Sequence, residues 1–202
     1  MAATARRVIL ASASVARAGL LRAAGVDVTI EPAAIDESLL KREARRRGDS
    51  AIDCAKALAA EKACVISGRH PEALVIGADQ LLAAGEEWFD KPGDLAEARS
   101  QLWALRDRAH RLATAVCVAQ GGVSLWWAAS TPELHMREFS ETFLEGYIAA
   151  EGEALLGSVG AYRLEGRGAQ LFSRISGDHF AVLGLPLIEL LGFLRERGVV
   201  AK

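Results

Sequence analysis

The sequence has few cysteines, and their arrangement predicts neither a disulfide framework nor a zinc site. The three of them, Cys54, Cys64 and Cys117, are odd in number and match no zinc or CxxC spacing. Each lies among apolar residues, as is typical of reduced cysteines inside a protein. We therefore interpret all three as reduced packing residues.

Long apolar segments and an excess of one charge are also missing. The N-terminal residues lack the apolar stretch of a signal peptide, because Ser12, Ser14 and Arg17 interrupt it. No segment is long and apolar enough to predict a transmembrane helix. The formal net charge is only −2, whereas bulk nucleic-acid binding favours a strongly basic face. We therefore expect a cytoplasmic protein whose partners include neither membrane nor nucleic acid.

The residues that are present have the composition of a folded globular protein, with 51% apolar and 25% charged residues in 202 positions. That length suits one domain or two small lobes. Alternating or continuous apolar residues predict strands and hairpins at 8–11, 26–30, 74–78, 81–89, 110–129 and 133–139. Helical spacing and capping residues predict helices at 15–24, 51–67, 94–105, 141–149 and 186–197. Because helices and hairpins are interleaved, the predicted class is α/β with a mixed sheet.

Hydroxyl and guanidinium groups follow the first predicted strand. Ser12 and Ser14 precede a predicted helix, and Arg17 lies in its first turn. A helix N-terminus, its backbone N–H groups and an arginine can together bind a phosphate. An ordinary serine cap beside a surface arginine gives the same pattern, so both interpretations stay open at this point.

A carboxylate follows an apolar predicted strand. Asp79 comes directly after Val75-Ile-Gly-Ala78, so we expect its side chain at the tip of a buried strand, where α/β proteins build their sites. Such a group can bind a divalent metal or accept a proton from water. The alternative is a turn-forming aspartate in a hairpin.

Anionic and cationic side chains combine into a set that suits phosphoanhydride cleavage. Glu37 and Asp79 supply candidate metal ligands, and the candidate phosphate-binding cations are Arg17, Lys62 and Lys91. Cleavage needs both kinds, because a metal bridges the phosphate oxygens while the cations neutralise charge as the bond breaks. The chain contains no Walker A sequence and no GxGxxG after a strand, so this chemistry would not be that of a P-loop enzyme.

Six segments together resemble the Maf family in their order and intervals. They are Leu10-Ala-Ser-Ala-Ser-Val-Ala-Arg17, Gly77-Ala-Asp79, Asp90-Lys91-Pro92, Gly160-Ala-Tyr162, Glu165-Gly166-Arg-Gly168 and Gly177-Asp-His-Phe-Ala-Val-Leu-Gly-Leu-Pro-Leu187. The resemblance covers nearly the whole chain, so residues 1–202 are expected to form a single Maf-like domain. It implies a two-lobed mixed sheet flanked by helices, similar to that of inosine triphosphate pyrophosphatases, with the active site in the central cleft.

The resemblance also implies an activity and a set of site residues. The activity is hydrolysis of a nucleoside triphosphate to monophosphate and pyrophosphate with Mg²⁺ or Mn²⁺, and family members are often homodimers. The implied catalytic residues are Arg17, Lys62, Asp79 and Lys91, the substrate-binding residues are Ser12, Gln80 and Glu165, and the metal ligands are Glu37 and Asp79. Asp79 matches the residue usually assigned as proton acceptor, and a role as metal ligand stays equally open.

The chain departs from the usual family pattern in two places. Val15-Ala16 stand where the family commonly has proline and then an arginine or a bulky residue, so one phosphate contact is absent although Arg17 is kept. Arg167 stands where an apolar residue is more usual, at the rim of the implied base pocket.

Two positions distinguish branches of the family by their preferred base. The branch that favours dTTP and UTP typically has threonine after the catalytic aspartate and glutamine in the glycine-rich segment. The 7-methyl-GTP branch typically has glutamine and glutamate there, as this chain does with Gln80 and Glu165. A carboxylate can accept both the N1–H and the N2–H of guanine. Methylation at N7 makes the base cationic, which increases its attraction to Glu165.

The preferred substrate predicted from these residues is 7-methyl-GTP, and two alternatives stay open. One is the same reaction on dTTP or UTP. The other is a non-catalytic nucleotide-binding regulator, since members of the family have been linked to septum formation. A separate alternative for Glu165 is that it is only a surface turn residue. The charged residues of the implied site, Arg17, Glu37, Lys62, Asp79, Lys91 and Glu165, are all present in this chain, which favours an enzyme over a regulator.

Overall fold

The computed structural model describes residues 7–201, which form eight strands and seven α-helices. The strands are β1 (Val8–Leu10), β2 (Thr29–Ile30), β3 (Leu74–Ala84), β4 (Glu87–Phe89), β5 (Ala109–Gln120), β6 (Val123–Ser130), β7 (Glu133–Met136) and β8 (Phe172–Ser176). The helices are α1 (Val15–Ala23), α2 (Glu37–Arg47), α3 (Ala51–Arg69), α4 (Leu95–Leu105), α5 (Glu141–Glu151), α6 (His179–Val182) and α7 (Leu187–Glu196). Short 3₁₀ turns span Gly152–Gly157, Val159–Ala161 and Arg167–Leu171. Within this part of the chain, no helix has both the length and the apolar character needed to cross a membrane.

The strands form a mixed sheet, as the sequence predicts for an α/β protein. β1 pairs in parallel with both β2 and β3. The strands β4, β6, β7 and β8 join through antiparallel pairs. The strand order is β2-β1-β3-β5-β7-β8, with β4 paired to β3 and β6 paired to β5. The predicted class is therefore confirmed.

The described chain divides into two compact units. The first takes the described parts of Met1–Gln80, Thr114–Ser130 and Asp178–Lys202, and the second takes Leu81–Ala113 and Thr131–Gly177. β3 and β5 each contribute to both units, because a unit boundary falls inside each of these strands. Of the predicted site residues, Lys91 and Glu165 belong to the second unit and the others to the first.

The side chains of β3 alternate between two apolar clusters in the first unit. Ile76 and Ala78 pack with residues of α1 and α7, whereas Val75 packs with a residue of α3. Successive side chains of a strand point to opposite faces of the sheet. Asp79 therefore faces α3, and Gln80 faces the opposite side.

A glycine allows α3 to lie very close to β3. A Cβ atom on Gly77 would lie 2.2 Å from the carbonyl oxygen of Ala59 and 2.7 Å from the backbone nitrogen of Ala63. Any larger residue would push the helix away from the strand. Lys62 belongs to the same turn of α3, so the close approach places this lysine beside β3.

The segment Gly160-Ala-Tyr162, which contributes to the family resemblance, lies in the core of the second unit. The hydroxyl of Tyr162 lies 2.9 Å from Nε2 of His110, and the Tyr162 ring meets Phe172 edge-on with centroids 4.9 Å apart. The φ angle of Gly160 is 75°, which favours glycine. This segment therefore serves packing in the second unit.

His110 is buried as a neutral side chain. It is 2% exposed, and its Nδ1 has no hydrogen-bond partner among the described residues. Burial, with a smaller effect from His135, lowers the pKa of His110 to about 4. In an unfolded chain the same group titrates at about 6.5. Protonation of His110 therefore opposes folding.

We expect the free energy of unfolding to fall as the pH drops from about 6.5 to about 4. In this window the unfolded state binds a proton at His110 and the folded state does not, so acid stabilises the unfolded state. The full loss from this group is about 3 kcal/mol. Urea unfolding at several pH values measures it. The loss should shrink in His110→Gln, and the same exchange at the exposed His179 should leave it unchanged. Equal losses in the two variants would contradict the assignment.

Candidate active site

Asp79 lies inside a strand rather than at its tip. The sequence predicts a strand that ends at Ala78, but β3 continues through Asp79 to Ala84. β1 pairs with β3 only as far as Leu10 and Ile76. The expected strand tip is therefore wrong, because the strand that ends here is the neighbour, β1. Asp79 lies beyond the last pair between the two.

A buried lysine joins the two predicted metal ligands. Nζ of Lys62 donates to Oδ1 of Asp79 at 2.6 Å and to Oε1 of Glu37 at 2.7 Å. Lys62 and Asp79 are 7% and 5% exposed, whereas Glu37 is half-buried. The three side chains carry one positive and two negative charges, and the two carboxylates also attract the nearby guanidinium of Arg17.

The first turn of α2 carries Glu37. Asp36 caps this helix by accepting a hydrogen bond from the N–H of Leu39 at 2.9 Å. This bond, together with one from the Ser38 hydroxyl, lowers the pKa of Asp36. An acidic side chain in the first turn is also favoured by the helix dipole. The cap and the dipole therefore stabilise the helix start from which Glu37 contacts Lys62.

Arg17 ties three segments of the first unit together. Its Nε donates to the carbonyl oxygen of Gly184 at 2.8 Å, and its Nη1 donates to the carbonyl oxygen of Ala78 at 2.9 Å. Nη1 also donates to Oγ of Ser12 at 3.1 Å. Ala78 lies beyond the last residue of β3 that pairs with β1, so Arg17 satisfies a carbonyl that the neighbouring strand does not reach.

Arg17 keeps donors available for an anion. A guanidinium has five N–H groups, and the bonds above use the one on Nε and the two on Nη1. No described residue accepts a hydrogen bond from Nη2. Burial lowers the pKa of Arg17, and the charges of Asp79 and Glu37 partly offset this effect. The side chain stays cationic and can donate from Nη2 to a phosphate oxygen.

Gln80 does not belong to the Lys62 cluster. Its Nε2 lies 2.8 Å from Oγ1 of Thr114, 2.9 Å from the carbonyl oxygen of Ala181 and 3.2 Å from that of Val182. Carbonyl oxygens only accept hydrogen bonds, so the atom that faces them must be the amide nitrogen. The Gln80 amide is therefore held in one orientation, with Oε1 left as an acceptor.

The second unit carries Lys91 and Glu165. Lys91 is exposed, in the loop between β4 and α4. Glu165 is also exposed, just before the 3₁₀ turn Arg167–Leu171. Its carboxylate makes no hydrogen bond or ion pair with another residue of 7–201. The side chain of Glu165 is therefore not needed to hold the fold.

Sequence reasoning misses two residues, one that contacts Gln80 and one that contacts the loop carrying Lys91. Thr114 of β5 bonds to Gln80, and Gln101 of α4 donates to the carbonyl oxygen of Asp90 at 3.0 Å. Both are buried polar residues in largely apolar elements. A polar residue on the buried face of an element needs a partner, and that is the signal that could have identified them.

Comparison with known proteins agrees with the resemblance. The family model described as Maf-like protein matches residues 7–197. A nucleoside triphosphate pyrophosphatase of Granulibacter bethesdensis is 56% identical over 190 residues, which cover 94% of this chain and 96% of the relative. One of Paramagnetospirillum magneticum is 49% identical, covering 94% and 98%. A 7-methyl-GTP pyrophosphatase of Rhizobium etli is 43% identical over 194 residues, covering 96% and 98%. The chain therefore belongs to the Maf family.

Proposed function

We propose that this chain hydrolyses the α–β phosphoanhydride of 7-methyl-GTP to 7-methyl-GMP and pyrophosphate, with the help of a divalent cation. The broader class is that of its relatives: the chain is a nucleotide pyrophosphatase, a hydrolase acting on acid anhydrides. The observation that carries the proposal is the contact of Lys62 with both Asp79 and Glu37, at 2.6 and 2.7 Å. It joins the anionic and the cationic groups that this reaction requires.

The cations of the first unit suit the charge that develops as a phosphoanhydride breaks. An ammonium has three N–H donors, and Lys62 gives two of them to carboxylates. Arg17 has the two donors of Nη2. Both side chains can therefore donate to phosphate oxygens while keeping the contacts that hold them. Following the family pattern, we assign Lys91 of the second unit to the same role.

We assign Asp79 one of two roles, which are activation of the attacking water and binding of the metal. Lys62 binds its Oδ1, and Oδ2 accepts no hydrogen bond from another described residue. A carboxylate that is held through one oxygen can use the other to orient and deprotonate water. It can equally bind a divalent cation. Both roles suit the observed geometry.

The two carboxylates suit an Mg²⁺ or Mn²⁺ ion whose remaining coordination positions are filled by substrate and water. In residues 7–201 no three Asp, Glu, His or Cys side chains are grouped to hold a metal ion. Asp79 and Glu37, which both contact Lys62, are the residues that would hold it. Mg²⁺ is usually bound through one or two carboxylates, water and substrate phosphates. When bound, the cation would polarise the phosphate oxygens and neutralise their charge.

The preference for 7-methyl-GTP rests on Glu165. Its carboxylate is exposed and not engaged in the fold, so both oxygens are available to the N1–H and N2–H of guanine. A uracil edge would instead place carbonyl oxygens against the carboxylate. Relatives from Rhizobium etli and Rhizobium johnstonii, each 43% identical, are named 7-methyl-GTP pyrophosphatase. Their names support the same choice.

The reaction is tested by its products and by metal removal. The protein is incubated with 7-methyl-GTP, GTP, UTP and dTTP in Mg²⁺ or Mn²⁺, and nucleotides and pyrophosphate are quantified. We expect equal amounts of monophosphate and pyrophosphate, the highest kcat/KM on 7-methyl-GTP, and loss of activity in EDTA that excess Mg²⁺ restores. Release of single phosphates with a diphosphate product would contradict the reaction. A higher kcat/KM on UTP or dTTP would contradict only the choice of base.

A further inference from the structure

Two side chains of α4 hold the loop that carries Lys91. Nε2 of Gln101 donates to the carbonyl oxygen of Asp90 at 3.0 Å, and Oε2 of Glu97 accepts from the N–H of Gly93 at 2.8 Å. The two side chains are themselves linked, because Gln101 Nε2 also donates to Glu97 Oε1 at 3.2 Å. One connected network therefore fixes the backbone on both sides of Lys91 to one helix.

The capped start of α4 places Glu97 within hydrogen-bond distance of both the loop and Gln101. Asp94 caps the helix, since its side chain accepts from the N–H of Glu97 at 2.7 Å. Gln101 follows Glu97 by one helical turn, so the two side chains lie on the same face. The cap thus sets the helix register, which decides which side chains reach the loop.

Gln101 has an unsatisfied polar atom inside the protein. It is 7% exposed, and its Oε1 is buried with no hydrogen-bond partner among the described residues. Turning the amide over would place oxygen against two acceptors and remove both bonds of Nε2. A buried acceptor without a donor is unfavourable, and an apolar residue of similar size would avoid it. A glutamine at this position is therefore better explained by its bond to the loop than by a contribution to the stability of the fold.

We propose that Gln101 and Glu97 are positioning residues for Lys91 during phosphoanhydride hydrolysis. The proposal rests on the proposed function, in which Lys91 donates to phosphate oxygens. Loop 90–93 has no regular secondary structure, so its backbone samples many conformations unless side chains fix it. A displacement of about 1 Å at a substrate-positioning group can lower a rate about 100-fold.

The test is a double-mutant cycle between Gln101 and Lys91. kcat/KM for pyrophosphate release is measured on 7-methyl-GTP and on UTP, with Mg²⁺, for wild type, Gln101→Met, Lys91→Met and the double variant. Each single exchange should lower kcat/KM about 10- to 100-fold. The factor should be the same on both nucleotides, because they share the triphosphate. The double variant should match Lys91→Met within about twofold, because Gln101 has nothing left to position.

Further variants separate positioning from folding. Gln101→Met should melt close to wild type, since it also removes the unsatisfied Oε1. Glu97→Gln keeps an acceptor for the N–H of Gly93 and should retain more activity than Glu97→Ala. The control is Ser100→Ala, whose hydroxyl bonds to the carbonyl oxygen of Ala96 in the same helix. Its kcat/KM should equal that of wild type.

Two outcomes would overturn the proposal. If the losses multiply in the double variant, Gln101 acts independently of Lys91. If Gln101→Met and Glu97→Ala both keep wild-type kcat/KM, the network positions nothing that the reaction uses. A wild-type protein that releases no pyrophosphate from either nucleotide would refute the proposed function instead, so the two failures are distinguishable.

Discussion

Replacing Asp79 by asparagine is expected to lower kcat at least ~100-fold, which is the lower end of the range for losing a general base. Asparagine provides neither a base nor an anionic metal ligand, so the loss follows in either role. The fold should tolerate the change, because the amide has the same shape and its Oδ1 can still accept from Lys62. Lys62 also keeps its bond to Glu37 at 2.7 Å. The melting temperature should therefore stay close to that of wild type.

The measurement pairs pyrophosphate release with thermal unfolding followed by circular dichroism. Asp27→Asn is the matched control, since it removes one carboxylate at an exposed position and should change neither quantity. Full activity in Asp79→Asn would show that neither role is correct. A variant that simply unfolds would show that the carboxylate serves the fold rather than the reaction.

Asp79 also illustrates what sequence reasoning can and cannot reach. The apolar run from Val75 to Ala78 predicts a strand, and the carboxylate after it predicts chemistry. The end of the strand was not predictable, because the apolar residues after Gln80 suit a separate hairpin equally well. β3 in fact spans both segments. Since neighbours in a strand face opposite sides, the continuous strand separates Asp79 from Gln80, which spacing along the chain does not indicate.

Helix starts were predictable because their signals are local. Ser14 and Ser50 cap α1 and α3, as their positions before helical segments indicate. The predicted strand at 26–30 is mostly wrong, since only Thr29–Ile30 pairs with β1. Val26 is buried in the core without being paired. Burial alone produces the alternation that is otherwise typical of a strand.

Contacts between segments could not be predicted from local sequence patterns. The bond of Lys62 to Glu37 requires α2 to fold back along α3. The short link between the two helices favours this arrangement, but it does not indicate which of their side chains meet. The close approach of α3 to β3 at Gly77 is equally invisible, because a glycine in a strand has several explanations. The chemistry of Glu37, Lys62 and Asp79 placed them in one candidate set, and the family resemblance agreed, but neither indicated that Lys62 contacts both carboxylates.

Glu165→Gln is expected to reverse the order of preference between 7-methyl-GTP and UTP. The exchange replaces one acceptor oxygen by an NH₂ donor that would face a donor of guanine, so one bond is lost and a repulsion appears. The expected cost is about 2–4 kcal/mol, or roughly 30- to 800-fold in kcat/KM on 7-methyl-GTP. Toward UTP, whose edge offers carbonyl acceptors, the same amide should be neutral or favourable.

The exchange at Glu165 should affect the substrate and leave the fold unchanged. Glu165 has no hydrogen bond or ion pair with another described residue, so glutamine should leave the melting temperature unchanged. The control is Glu153→Gln, the same exchange at another exposed glutamate of the second unit, which should alter neither substrate. Because Gln80 also contributes to the predicted base preference, a complete switch is expected only with Gln80→Thr added. Equal losses on 7-methyl-GTP and UTP in Glu165→Gln would mean that this carboxylate does not read the base, and the choice of 7-methyl-GTP would then lose its physical support.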